Sequence, residues 1–199
     1  MADLRVLERR FSDLLCLGTL AGMMPLSWRA PAVDEFAPFF AGYIARVARV
    51  ADPIDELDAQ RARLLTMLMP LSDDQASFRY AAGKWSIKAL VGHLADAERI
   101  LAYRLLRIGR GDDTPLPGWD ENLYAATAAF DDRAWSDLLD DWRAARDSTI
   151  ALVRGMPDEA WERRGVANNG PATPRALLYI ILGHVEHHLA VLLERYGVR

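Results

Sequence analysis

What most constrains this chain is the placement of its helix breakers. Proline and glycine fall at Asp52-Pro53, Pro70, Gly83-Lys84-Trp85-Ser86, Gly109 to Gly118, Gly155 and Thr173-Pro174. Between these breaks apolar residues return every three or four positions, the period of a helix with one buried face, while strand signals are weak. The segments are long enough for helices that pack side by side, so the fold class is all-α.

A first long helix should open with Asp52 as its cap and Pro53 in its first turn, stop near Pro70, and face inward through Ile54, Leu57, Leu64, Leu65 and Leu68. A second should open at Ser86 and run through Ile87, Leu90, Leu94, Leu101 and Leu105 to Gly109 or Gly111. The third is expected from about Arg133 to Arg154, capped by Asp131 or Asp132 and ended by Gly155. The fourth should begin at Thr173-Pro174 and reach Tyr196-Gly197. Residues Gly109 to Glu121 are too rich in breakers for helix and should form a long crossover or lid between the second and third helices. Together these predict a four-helix bundle.

With 199 residues, 51% of them hydrophobic and 26% charged, the chain has material for a single core. Residues 1–30 read as an N-terminal extension and 31–199 as the bundle domain. Met23 or Met24 is an alternative start of translation. The apolar stretch Leu14 to Leu26 is short for a membrane span and follows Glu8 and Asp13, which a secretory leader would avoid. A net charge of −4 without a basic run argues against nucleic acid and membrane as partners. The single cysteine, Cys16, rules out an intramolecular disulfide framework and fits a reducing cytoplasm.

The chain has only four histidines: His93, and then His184-Val185-Glu186-His187-His188. On a helical wheel His188 lies about 40° from His184, among Leu177, Ile181 and Leu192, so both point into the core. His187 falls on the edge of that stripe, and His93 shares its face with Leu90, Ala97 and Leu101. Each could be a core histidine satisfied by a carbonyl or carboxylate. Three unpaired imidazoles at about 1–3 kcal/mol each would consume much of a domain's roughly 5–15 kcal/mol of stability, whereas one metal ion satisfies all three. A three-nitrogen site would also keep an open coordination position, as catalytic sites do.

Other chemistries fail on spacing. Val185 stands where a zincin needs glutamate, and no histidine has glutamate three residues before it as a di-iron bundle requires. Nucleophile elbows, phosphate-binding glycine loops and paired cysteines are missing from the sequence. Asp96, one turn beyond His93, could orient an imidazole, bind the ion or pair with Arg99. Glu98, Tyr103 and Arg104 reach a cavity or form helix-face pairs with equal ease and receive no role. Trp119 and Asp120 could cover the bundle mouth, although an anchoring tryptophan is the plainer account.

Gly83-Lys84-Trp85-Ser86-Ile87, Gly92-His93-Leu94-Ala95-Asp96-Ala97-Glu98-Arg99, Thr114-Pro115-Leu116-Pro117-Gly118 and Gly183-His184-Val185-Glu186-His187-His188 together resemble the DinB-like (DinB/YfiT) superfamily. The resemblance covers roughly Pro31 to Tyr196. It implies a four-helix bundle, often a homodimer, holding one divalent ion, commonly zinc or nickel, with a histidine from the second helix and two from the last. Matched residue by residue, those are His93, His184 and His188. It further implies that the second and fourth helices face each other. Relatives include transferases and an isomerase that use low-molecular-weight thiols, and many are labelled metal-dependent hydrolases.

The expectation is therefore a cytoplasmic enzyme acting on a small molecule, a hydrolase or a thiol S-transferase, in which the ion activates water or a thiol cosubstrate. The rival is a non-catalytic dimeric bundle, stress-associated, whose structural metal is closed by a fourth ligand, Asp96 or His187.

Overall fold

The structure, a computed structural model, describes residues 28–199. The expectations placed on Leu14 to Leu26, Cys16 and a start at Met23 or Met24 lie outside the described residues. Seven α-helices occur among the described residues: α1 (Ala41–Val47), α2 (Pro53–Leu68), α3 (Asp73–Ala76), α4 (Ile87–Gly109), α5 (Glu121–Thr127), α6 (Trp135–Arg154) and α7 (Pro174–Arg195). Strands β1 (Gly165–Ala167) and β2 (Gly170–Ala172) form a small antiparallel hairpin before α7.

Helices α2, α4, α6 and α7 are the bundle. Each of α2 and α4 packs against both α6 and α7, so sequential partners α2 and α4, and likewise α6 and α7, sit on the diagonals. Contacts along the helices fix their directions. The start of α4 lies by the start of α6, where Lys88 Nζ donates to the Arg133 carbonyl at 2.8 Å, and their ends meet at Gly109 and Met156. These two neighbours therefore run parallel. In α2, Leu57 meets Arg146 whereas Leu68 accepts from Trp135 Nε1, so α2 and α6 are antiparallel. Helix α7 runs against α4, with Pro174 near Gly109 and the Tyr196 hydroxyl donating to the Trp85 carbonyl at 2.8 Å. The bundle is thus up, down, down, up. Residues 110–134 must return along the bundle to join parallel neighbours, and α5 lies within that return.

Local chemistry sets most helix starts. Asp52 accepts from the amides of Ile54 and Asp55, Ser86 from Ala89 and Thr173 from Ala176, with proline in the first turn of α2 and α7. The start of α6 differs from expectation. It begins at Trp135 behind Ala134, which makes no side-chain cap. Asp131 is engaged by Arg79 and by the Ser86 hydroxyl, and the Trp135 amide donates instead to Asp73 Oδ1 at 2.9 Å, on α3. A carboxylate distant in sequence supplies this cap.

Four further elements were not anticipated: α1, α3, α5 and the hairpin. Helix α1, with Tyr43 in its first turn, packs against α7. The hairpin turns at Asn168 and Asn169, with φ of 50° and 60°, as a type I′ turn requires. Helix α7 is long and apolar enough to span a membrane, with mean hydropathy 1.6, yet 67% of that window is buried here, against α1, α2 and α4.

The core divides into two apolar clusters. One gathers Leu57, Leu101, Leu105, Ile150 and residues 177–182, the other Leu64, Leu94, Trp142, Val185 and Leu192. Between them runs a buried polar layer to which every bundle helix contributes: Gln60, His93 and Glu98, Arg146, and His184.

Candidate metal centre

The polar layer brings the three predicted histidines together. His93 sits in the second turn of α4, and His184 and His188 occupy consecutive turns of α7, which packs against it. The Nε2 atoms of His93 and His184 lie 3.0 Å apart, and those of His188 and His184 3.2 Å apart. All three ring nitrogens fall within 4.8 Å of one another. His93 and His184 are buried and His188 half-buried.

Both glycines that precede a histidine have a packing reason. A Cβ on Gly92 would come 2.3 Å from the Phe130 ring, and one on Gly183 would come 2.1 Å from the Tyr43 carbonyl oxygen. Gly183 thereby lets the α1 backbone press onto α7 beside His184. Aromatic rings fix the imidazoles further. Tyr43 meets His184 edge-on at 5.5 Å, Trp85 packs on His93 at 4.8 Å, and Trp119 stacks on His93 with planes 13° apart.

The donors fit a cation better than they fit one another. Neutral imidazole carries one N–H. The buried Nδ1 atoms of His93 and His188 have no partner, and the single lone pair on His184 Nε2 cannot accept from both neighbours. If the protons sit on Nδ1, three lone pairs converge; if they sit on Nε2, buried acceptors stay unpaired. An ion about 2.0–2.1 Å from each nitrogen would place tetrahedral neighbours roughly 3.3 Å apart, close to the two short spacings. Burial, helped by nearby His187, pushes His93 down to about 4. Burial does the same to His184 and His188, with neighbouring imidazoles adding to it. The rings are therefore neutral at physiological pH, the form that ligates.

The other residues singled out in the sequence separate cleanly. Asp96 lies 3.7 Å from Arg99 and outside the cluster, where burial raises its carboxyl. His187 packs beside Tyr43 and His188 but is not among the converging donors. Glu98 pairs with Arg146 at 2.8 Å, and Arg146 Nη1 donates to Gln60 Oε1 at 3.2 Å. Tyr103 accepts from Arg107 on the surface. Asp120 caps α5. Trp119 is no buried anchor: it is half-buried and belongs to the site.

Beside His184 opens a cavity of about 440 Å³, walled by Phe40, Tyr43, Leu101, Trp119 and Ile180, with Arg104 and Asn168 among its polar lining. Sequence reading did not find this wall, because Phe40 and Tyr43 belong to the unanticipated α1 region and Asn168 to the hairpin. Leu101 and Arg104, eight and eleven residues after His93 and so on the same helix face, and Trp119, read as a possible cover of the bundle mouth, were the parts of it visible in the sequence.

The sequence model of the DinB superfamily matches residues 56–192. "Putative metal-dependent hydrolase OB0413" from Oceanobacillus iheyensis is 24% identical over 149 residues, 69% of this chain and 79% of the relative. "Putative metal-dependent hydrolase YfiT" from Bacillus subtilis is 26% identical over 103 residues, about half of each chain. A solved structure of Bacillus subtilis YfiT, described as a probable metal-dependent hydrolase with an unusual four-helix bundle topology, superposes with a TM-score of 0.65. That match has 23% identity and covers 74% of this chain and 87% of the other. With a family model spanning well over half of its length, the chain belongs to the DinB superfamily.

Proposed function

We propose that the protein is a divalent-metal-dependent enzyme acting on a small molecule, with His93, His184 and His188 as the ligands. One observation carries this reading: three histidine nitrogens converge beside a cavity, and among the described residues no fourth protein ligand closes the cluster. A structural site needs that fourth ligand, and both residues that could supply it, Asp96 and His187, lie outside. Held by His93, His184 and His188, a divalent ion would supply Lewis acidity that lowers the pKa of a water or a thiol. The chain's own residues position and enclose. Gly92 and Gly183 allow the close packing, Trp85, Trp119 and Tyr43 hold the rings, and apolar walls limit water.

The relatives' names favour hydrolysis. A second reading, S-transfer from a low-molecular-weight thiol, follows the resemblance: among the described residues no carboxylate hydrogen-bonds a triad histidine, and the two carboxylates that line the cavity, Asp120 and Glu121, are exposed. A thiol, with an ordinary pKa near 8.5, needs less help to ionise than water does. Turnover of an ester, amide and electrophile panel, with and without Zn²⁺ or Ni²⁺ and with and without added thiol, separates the two. Metal-dependent turnover without thiol supports the hydrolase, and strict thiol dependence sinks it. The proposal includes a cytoplasmic homodimer, from the resemblance alone; light scattering reads its mass.

A further inference from the structure

We propose that the cavity beside the triad selects ligands bearing a terminal carboxylate, which Arg104 holds. This rests on the triad as the reactive end and adds the class of substrate. Among the described residues three basic side chains are buried: Lys88, Arg104 and Arg146. Lys88 pairs with Asp73 and Arg146 with Glu98. Arg104, only 3% exposed, has no carboxylate within ion-pairing distance; Nη2 donates to the Pro117 carbonyl at 2.7 Å. A guanidinium has five N–H donors, and one backbone oxygen satisfies few of them. A buried cation without its counter-charge is costly, and this one lines a cavity of about 440 Å³.

Position along α4 gives the ligand its shape. His93, Ala97, Leu101 and Arg104 share one face, and Cα atoms eleven residues apart are about 16 Å apart along the axis. Both side chains lean towards the helix N-terminus, and arginine is the longer, so a group on Arg104 lies roughly 10–15 Å from the triad. Leu101, Ile180, Phe40 and Trp119 wall the space between. The ligand therefore carries a carboxylate at one end, an aromatic or alkyl middle, and its reacting group at the other end. Guanidinium binds carboxylate through two parallel hydrogen bonds. Asp120 and Glu121 also line the cavity, but both are exposed, and Asp120 is occupied in capping α5.

The test is calorimetric titration with phenylalkanoates, from phenylacetate to 6-phenylhexanoate, and their carboxamides, on chelated protein and on protein with one equivalent of Zn²⁺. At least one acid should bind tenfold or more tightly than its amide in both states; Arg104→Gln should abolish the difference and Arg104→Lys keep part of it. No acid binding, or equal affinity for acid and amide, overturns the proposal. An acid preference that requires Zn²⁺ and survives in Arg104→Gln places the carboxylate on the ion, overturning this proposal and leaving the triad intact. An acid preference in protein that binds no metal sinks the triad and leaves Arg104 standing. Should Arg104→Gln fail to fold, nitrogen-15 arginine spectra of the wild type decide. The side-chain resonance missing from Arg104→Lys must shift with the acid and not with the amide; if it stays still, the proposal fails.

Discussion

Gly92 and Gly183 show how a single residue commits distant parts of the chain. Each would place a methyl group inside another residue's van der Waals surface, Phe130 for the first and the Tyr43 backbone for the second. A ring can shift; a helix backbone moves only as a unit. Gly183→Ala should therefore destabilise by about 1–3 kcal/mol or more in urea titration. Gly42→Ala is the control: nothing lies within 4 Å of its added Cβ, and helix propensity makes it neutral or stabilising by up to about 1 kcal/mol. The buried Arg146–Glu98 pair gives a second prediction. Arg146→Met alone leaves Glu98 buried and unpaired and should cost about 3–5 kcal/mol, whereas adding Glu98→Leu should recover much of that. A double-mutant cycle measures it. The His184 and His188 pair was legible because four-residue spacing on an apolar helix is a local signal, whereas His93 showed only its apolar face. The glycines were visible as part of a motif, but their physical reason lies in α1 and Phe130, far away in sequence.

At the scale of elements, caps sort by locality. Asp52, Ser86 and Thr173 act within three residues and were read correctly, whereas α6 takes its cap from Asp73 on another helix, which no local pattern reveals. The short α1 and the Asn168-Asn169 hairpin were missed because one is a two-turn helix after a proline-rich lead-in and the other pairs only three residues per strand. The start of α7 is tied to the preceding chain by Glu35, which accepts from the Ala32 amide, the Thr173 hydroxyl and Arg175, each at 2.8 Å. Burial alone would raise this carboxyl; the hydrogen bonds from Arg175, Ala32 and Thr173 outweigh it and hold the pKa below its ordinary value. A lowered folded-state pKa contributes stability that is full above the unfolded value near 4.5 and lost as pH falls through the folded one. Glu35→Gln should then be less stable than wild type by about 1–3 kcal/mol at pH 7. The two stabilities should converge as pH falls through the lowered folded-state pKa, since protonation then removes the wild type's advantage. A gap that persists unchanged in acid would contradict the clamp.

The whole molecule places its chemistry where two apolar clusters meet. All four bundle helices contribute to the polar layer, and the up, down, down, up order sets α4 against α7, so that one helix brings one histidine and the other brings two. Sequence periodicity established the four helices but not which were neighbours; that depends on the paths of the loops. The resemblance, rather than spacing, supplied the facing of the second and fourth helices. The central claim is that this junction is a metal centre, and elemental analysis tests it most directly. Tag-free protein should carry or take up about one equivalent of divalent metal, and a His93→Ala/His184→Ala variant of unchanged helicity should hold little. No metal in the wild type after equilibration with Zn²⁺ and Ni²⁺, or equal metal in both proteins, would contradict the account.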